Sequence, residues 1–247
     1  MSTILACGLH TPTRPWTTPA WGRGRAGVRH CARRSALNNA ITFIEALATL
    51  AFALSGLLAA ARKRLDAVGV VVVAGLAAFG GGTLRDILLD RRPFFWVTHA
   101  DWLWGLLGLC ILAMLFLRAR HFGVTERAMQ WPDALGLGLF TAGGTEIALA
   151  NGMPAIVAVL MGMVTAVFGG VLRDIVCNEI PSAFSDHRPY AVCSFAGGWV
   201  LVGAQQAGLS GETALAAAAL TATGLRVLAL ATGWQLPPWR AGAPPPG

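Results

Sequence analysis

Two short segments of this chain place an arginine next to an aspartate, behind a cluster of glycines. Gly80 to Trp96 reads GGGTLRDILLDRRPFFW, and Phe168 to Phe184, 88 positions later, reads FGGVLRDIVCNEIPSAF. Seven of the seventeen aligned residues are identical. An arginine beside a carboxylate can form an ion pair, hold a charged solute or anchor a helix end. The surrounding elements decide among these roles.

Those elements have the composition of a membrane protein. Hydrophobic residues make up 55% of the 247 residues and charged residues only 13%, against about 25% in soluble domains. Seven apolar runs predict an all-α polytopic protein with seven transmembrane helices, embedded in the lipid bilayer of the inner (plasma) membrane. The runs are Ile41–Ala61, Ala67–Leu84 (extending toward Leu89), Trp102–Leu117, Ala134–Ala150, Met153–Leu172 (extending toward Cys177), Tyr190–Gln206 and Thr213–Gly233.

The offset of 88 residues extends over the first six runs without a gap, which indicates a duplication. Repeat one covers 41–120 and repeat two covers 129–208, and the seventh helix, 213–233, lies outside both. Three spans per repeat is an odd number, so we expect the repeats to be inverted relative to each other. The flanking segments are predicted to be a basic, disordered tail (1–40) and a proline-rich tail (234–247).

Basic residues in the loops predict the orientation. Three lie on the side of the N-terminus and nine on the opposite side, which predicts an N-terminus outside and a C-terminus in the cytoplasm. If the six arginines of the N-terminal tail are included, the two sides become equal. The prediction therefore depends on the loops.

The glycine clusters predict interrupted helices. Gly80, Gly81 and Gly82 lie in the second run, and Gly169 and Gly170 lie in the fifth. Each glycine weakens a helix by about 1 kcal/mol relative to alanine. Breaks at matching positions of two inverted halves indicate a transport pathway, whereas the alternative role of such glycines is close helix packing.

The charged pairs lie about one turn further on. Each of Arg85, Asp86, Arg173 and Asp174 would cost about 2.5 to 3.5 kcal/mol if it faced lipid near the bilayer centre. Two alternatives avoid that cost. The side chains pair and point into a hydrated pathway, where they could gate it, or they lie at the interface and extend toward the headgroups.

Four further polar residues are secondary candidates. Glu45 and Asp133 begin the first and fourth runs, where they could favour a helix N-terminus or attract ions. Ser55 could permit close approach of the first run to the glycine-containing helices, with simple packing as the alternative. Glu146, which has no acidic counterpart in repeat one, is either a pore carboxylate or an interfacial residue.

Other function classes lack support in the sequence. The net charge of +7 comes from the tail and short loops, so we expect no nucleic-acid partner. The five cysteines have no metal-ligand spacing, and no HExxH, GxxxxGK[ST] or GxSxG motif occurs. We therefore expect no catalytic residues, no metal and no cofactor, and we do not expect an enzyme.

The paired GGxxRD motifs, 81–86 and 169–174, resemble those of the prokaryotic trimeric intracellular cation channel (TRIC) family, whose bacterial domain is also described as a glycine transporter domain. Each motif is followed by a proline, and the resemblance covers about Ile41–Gly233. It implies a homotrimer in which each protomer has its own pore. The pore would be lined by the first, second, fourth and fifth spans and pass K⁺ and, less selectively, Na⁺. The chain departs from the family pattern in its long basic N-tail and in having Phe168 where repeat one has Gly80.

The sequence leaves two transport functions open. In a cation channel, acidic groups and backbone carbonyls near the glycines would replace ion hydration. In a carrier of glycine or another small amino acid, a half-helix N-terminus near an arginine would hold the substrate carboxylate. A membrane scaffold that transports nothing is the third alternative.

Overall fold

A computed structural model describes residues 24–119, 126–185, 188–235 and 237. Within these ranges the chain is all-α and contains no strand, as predicted. Contacts divide the chain into two compact units, 1–42 and 43–247, and the packing described below lies within the second unit. The helices are α1 (Gly24–Arg62), α2 (Ala67–Leu88), α3 (Phe95–Thr98), α4 (Asp101–Ala119), α5 (Glu126–Ala150), α6 (Ala155–Val176), α7 (Ser182–Ser185), α8 (Ala191–Gln206) and α9 (Gly211–Thr232).

Local sequence explains where several helices begin and end. The carboxylate of Asp66 accepts a hydrogen bond from the Gly69 amide at 2.7 Å and caps α2. Ser210 caps α9 in the same way, and Gly233 ends α9 in the left-handed conformation, with a φ of 68°. The turns after α2 and α6 each contain one left-handed residue, Asp90 and Asn178, residue types that tolerate this conformation.

Each of the seven apolar runs corresponds to a helix, but α1 and α5 begin well before their predicted starts at Ile41 and Ala134. α1 starts at Gly24, so the prediction of disorder for 24–40 is wrong. The last proline of the tail is Pro19, and no proline between Gly24 and Arg62 stops the helix. α5 starts at Glu126 and contains Pro132 in its interior. The predictions for 1–23 and 238–247 lie outside the described residues.

Four of the described helices are long and apolar enough to cross a membrane: the Ser35–Arg62 part of α1, together with α2, α6 and α9. The remaining three runs give weaker candidates for physical reasons. In α4 the apolar helix is the shorter segment Asp101–Leu115. α5 contains buried carboxylates, and α8 has only 16 residues, about 24 Å of helix.

The seventh span packs against repeat two through small residues. A methyl group added at Gly138 of α5 would overlap the Thr223 side chain of α9. At Gly197 of α8 it would come within 2.7 Å of the Ala222 side chain. α9 therefore lies close against both α5 and α8.

Candidate functional site

The glycine clusters lie where α2 and α6 cross, and both helices are continuous there. The predicted helix breaks at Gly80–Gly82 and Gly169–Gly170 are therefore wrong. A methyl group at Gly81 would overlap the backbone carbonyl oxygen of Thr165, and one at Gly169 would overlap that of Ala77. Contact between the two backbones offsets the low helix propensity of glycine, so the sequence permits close packing without a break.

The same contacts show that α2 and α6 run in opposite directions at the crossing. Gly81 faces Thr165 and Gly169 faces Ala77, so residue numbers rise along one helix as they fall along the other. At the offset of 88 residues, Gly81 is equivalent to Gly169 and Ala77 is equivalent to Thr165. Equivalent residues of the two repeats therefore make reciprocal contacts.

Two other glycines of α2 make room for side chains rather than for backbone. A methyl group at Gly80 would come within 2.5 Å of the Leu172 side chain, and one at Gly82 would overlap the ring of Phe95. Repeat two has the larger Phe168 at the position of Gly80. Close packing is therefore most stringent at Gly81 and Gly169, where backbone opposes backbone.

The first charged cluster is centred on Arg85, whose side chain is fully buried. Its Nε and Nη2 atoms donate to Asp86 Oδ1 at 2.9 and 2.7 Å. Its Nη1 atom lies 2.7 Å from Glu45 Oε1, an ion pair by distance although the two groups are not aligned as a hydrogen bond. Arg91, which is 40% exposed, reaches Asp86 at 3.5 Å.

The second cluster is centred on Arg173, also buried, and repeats this arrangement. Arg173 donates from Nη1 to Asp133 Oδ1 at 2.5 Å and from Nε to Asp174 Oδ1 at 2.7 Å. Its Nη1 also donates to the hydroxyl of Ser55. Gly170 lies beside this cluster, since a methyl group added there would lie 3.5 Å from Asp133 Oδ1.

The aspartate of each motif also fixes the loop that follows its helix. Asp86 Oδ2 accepts the backbone N–H of Phe95 at 3.1 Å. Asp174 Oδ2 accepts both the N–H of Ser182, at 2.9 Å, and its hydroxyl, at 3.1 Å. α3 and α7 are thereby attached to the charged clusters.

Each cluster contains two carboxylates for one buried guanidinium. In the first cluster the more exposed Arg91 balances the second carboxylate, so the excess of one formal negative charge is confined to the second cluster. The predicted pairing of arginine with aspartate is present in both motifs. The alternative in which the arginines reach toward the headgroups does not fit side chains that are 0% and 1% exposed. The carboxylates beside both buried arginines offset part of the cost of burying these charges.

Glu45 and Asp133 lie inside α1 and α5 rather than at helix N-termini, so the helix-terminus interpretation is wrong. They are the second carboxylates of the two clusters. The sequence held the necessary signal, because Glu45 and Asp133 are separated by the same 88 residues as Arg85 and Arg173.

Glu146 and Arg226 make polar contacts outside the four-residue sets described above. Glu146, only 6% exposed, accepts a hydrogen bond from Gln205 of α8, so α5 and α8 are linked there. Arg226 of α9 is buried, stacks 4.7 Å from the ring centroid of Tyr190 and donates to the carbonyl of Pro189 at 3.3 Å. The sequence pattern did not indicate either partner.

Sequence reasoning also missed an aromatic pair. Phe52 and Phe140 are themselves 88 residues apart, and their rings stack with centroids 5.5 Å apart and an interplanar angle of 22°. Both are completely buried, at 0% and 1% exposed. Their equal spacing was visible in the sequence, but no local property distinguishes them from ordinary core phenylalanines.

The fold and these clusters define a helical membrane protein built from two related halves with buried ionic groups. Comparison with known sequences agrees, since the sequence model of the glycine transporter family matches residues 42–118 and again 130–206. The two matches begin 88 residues apart, at the offset of the repeat. The chain belongs to this family, which includes the prokaryotic TRIC channels.

Similar proteins are known from several bacteria. A UPF0126 membrane protein of Vibrio cholerae is 34% identical over 208 residues, covering 82% of this chain and 84% of the relative. The UPF0126 inner membrane protein YadS of Escherichia coli K12 is 34% identical over 164 residues, covering 65% and 76%. These relatives and the apolar helices identify the chain as a bacterial membrane protein.

Solved structures share its fold. The TRIC trimeric intracellular cation channel orthologue from Rhodobacter sphaeroides is 32% identical, with a TM-score of 0.72, covering 78% of this chain and 98% of that one. A second structure, reported for conductance through TRIC cation channels, is 30% identical with a TM-score of 0.72, covering 82% and 98%. The fold is therefore that of the TRIC channels.

Proposed function

We propose that this protein is a passive membrane channel for monovalent cations, K⁺ in the first place and Na⁺ less selectively. The observation that carries the proposal is the excess of carboxylate over guanidinium in the second buried cluster, where Asp133 and Asp174 both contact Arg173. A formal negative charge at this cluster would attract cations and repel anions. The likeness to TRIC cation channels supports the same conclusion.

The proposed architecture has seven transmembrane helices, arranged as two inverted three-helix repeats (α1, α2, α4 and α5, α6, α8) followed by α9. The reciprocal contacts of Gly81 with Thr165 and of Gly169 with Ala77 support the inversion, because equivalent helices cross in opposite directions. A second contact agrees. Arg62 at the end of α1 meets Glu179, just after α6, at 2.5 Å, so α1 and the second-repeat helix α6 end on the same side.

The proposed pathway runs through each protomer between α1, α2, α5 and α6. These four helices carry both buried arginines together with the carboxylates and the hydroxyl that contact them, and the α2–α6 crossing lies between the two clusters. In this proposal Gly80–Gly82 and Gly169–Gly170 shape the centre of the pathway by close packing, and the clusters form its two charged ends. Glu146 lies outside both clusters and has a secondary role.

The proposed assembly is a homotrimer in the inner membrane, with the N-terminus outside and the C-terminus in the cytoplasm. The trimeric relative from R. sphaeroides supports the assembly, and the excess of basic loop residues on one side supports the orientation. A C-terminal reporter that is active only outside the cytoplasm would be silent in this topology. An active reporter would reverse the orientation without affecting the pathway.

Planar-bilayer recording of the purified protein tests the proposed activity. Under a KCl gradient we expect unitary currents that reverse near the K⁺ equilibrium potential. Replacement of K⁺ by Na⁺ should reduce the current, and replacement of K⁺ by a large organic cation should abolish it. Silent bilayers with verified incorporation of the protein would refute the channel.

Carriage of glycine is the second candidate, favoured by the description of the family whose model matches. The chemistry of the clusters opposes it, because Arg85 and Arg173 already contact two carboxylates each. A substrate carboxylate would have to displace one of these partners. Saturable uptake of labelled glycine by proteoliposomes, lost in Arg85→Ala and Arg173→Ala, would favour the carrier over the channel.

A further inference from the structure

The two charged clusters lie at different levels of the same helix pair. On α1, Glu45 contacts the first cluster and Ser55, ten residues later, contacts the second. Ten residues of α-helix correspond to a rise of about 15 Å. A cation moving from one cluster to the other must therefore cross about 15 Å of the protein interior.

The stacked rings of Phe52 and Phe140 lie within this interval. Phe52 follows Glu45 by seven residues, two turns along the same face of α1, and precedes Ser55 by three. Phe140 follows Asp133 by the same seven residues on α5. The rings therefore lie between the clusters on both helices.

The rings also lie on the axis that relates the two repeats. Each phenylalanine contacts its own counterpart, 88 residues away, and only residues on the axis that relates two halves can do so. The ring of Phe52 is fixed against α5 at Gly136, where an added methyl group would lie 2.6 Å from it. A pathway that followed α1 and α5 from one cluster to the other would therefore pass this pair.

We propose that Phe52 and Phe140 form the gate of the cation pathway. Two stacked, fully buried rings offer an ion no replacement for its hydration shell, and an apolar constriction of this kind also excludes water. Separation of the rings would join the two charged ends into one hydrated path. The proposal rests on the proposed channel function and adds the residues that close it.

The test compares single-channel currents of the wild type with those of Phe52→Ala and Phe140→Ala in symmetric KCl. Removing either ring should raise the open probability about tenfold or more, because the stacked rings stabilise the closed state. Phe195→Ala is the matched control. The Phe195 ring packs on Trp199 within α8, a helix that contributes no member of either cluster, so its removal should leave the open probability unchanged.

Loss of a buried ring also weakens the fold, so a second variant is needed. Phe52→Leu keeps the site apolar and nearly filled, and it should raise the open probability less than Phe52→Ala. Each variant is first shown to elute as the wild-type oligomer. If Phe52→Ala does not fold, Phe52→Leu and Phe140→Leu decide, and an open probability equal to that of the wild type overturns the gate.

The outcomes separate the gate from the channel. A conducting wild type with folded but unchanged phenylalanine variants overturns the gate and leaves the channel intact. A silent wild type with conducting variants supports both. Silence of all proteins at verified incorporation overturns the channel, and the gate with it.

Discussion

Substitution of Asp133 by asparagine tests whether the buried clusters hold the protein together. The change keeps the size of the side chain but removes the charge that contacts Arg173 at 2.5 Å. Arg173 is 1% exposed and Asp133 4%, so water cannot replace the lost partner. Breaking a buried ion pair costs about 3 to 5 kcal/mol. We expect a loss of stability at the lower end of this range, because Arg173 retains its contacts with Asp174 and Ser55.

The measurement is thermal unfolding in detergent at fixed protein concentration. A loss of about 3 kcal/mol corresponds to a fall in Tm of about 6 to 12 °C for a chain of this size. The matched control is Asp90→Asn, the same substitution at a carboxylate that is 94% exposed and 3.8 Å from Arg92. Its Tm should change by no more than about 2 °C, since exposed pairs contribute little. An equally small change for Asp133→Asn would refute the stabilising role of the cluster.

Two further experiments test helix packing and surface charge. Gly81→Ala should separate α2 from α6 and lower Tm strongly, because the new methyl group meets the backbone of Thr165. Gly224→Ala, where nothing lies within 4 Å, should be neutral or raise stability by up to about 1 kcal/mol; equal effects would contradict the crossing. Arg62 and Glu179 are 27% and 32% exposed, so a double-mutant cycle should give a coupling of about 0.2 to 1 kcal/mol that falls with salt. A coupling that does not change with salt would contradict a solvent-screened pair.

The positions of the helices could be predicted because the bilayer imposes them. An apolar run must be long enough to cross hydrocarbon, and charged residues and glycine-rich turns mark its ends. The run from Ala67 therefore gave α2 with its correct start, and the run to Gln206 gave α8 with its correct end. The start of α1 was missed because nothing in the bilayer argument limits a helix outside the membrane.

The chemistry of the site was predicted less completely, because it depends on contacts between helices. Glycine propensity is a local property and favoured a break, whereas the backbone of α6 against Gly81 makes the continuous helix favourable. The partners of Arg85 and Arg173 follow from helix packing, which local spacing does not report. The repeat offset was the one long-range signal available, and applied to Glu45 and Asp133 it would have found both partners.

The position of Ser55 is one at which the two halves differ. The Ser55 hydroxyl oxygen accepts a hydrogen bond from Arg173, but the equivalent residue in repeat two is Gly143, which has no hydroxyl. A methyl group added at Gly143 would lie 4.0 Å from the Glu45 side chain. Joining two related halves in one chain lets mutation alter one without the other, which identical subunits do not allow. The two arginines of this protein are therefore held by different sets of partners, and either set can change while the other is kept.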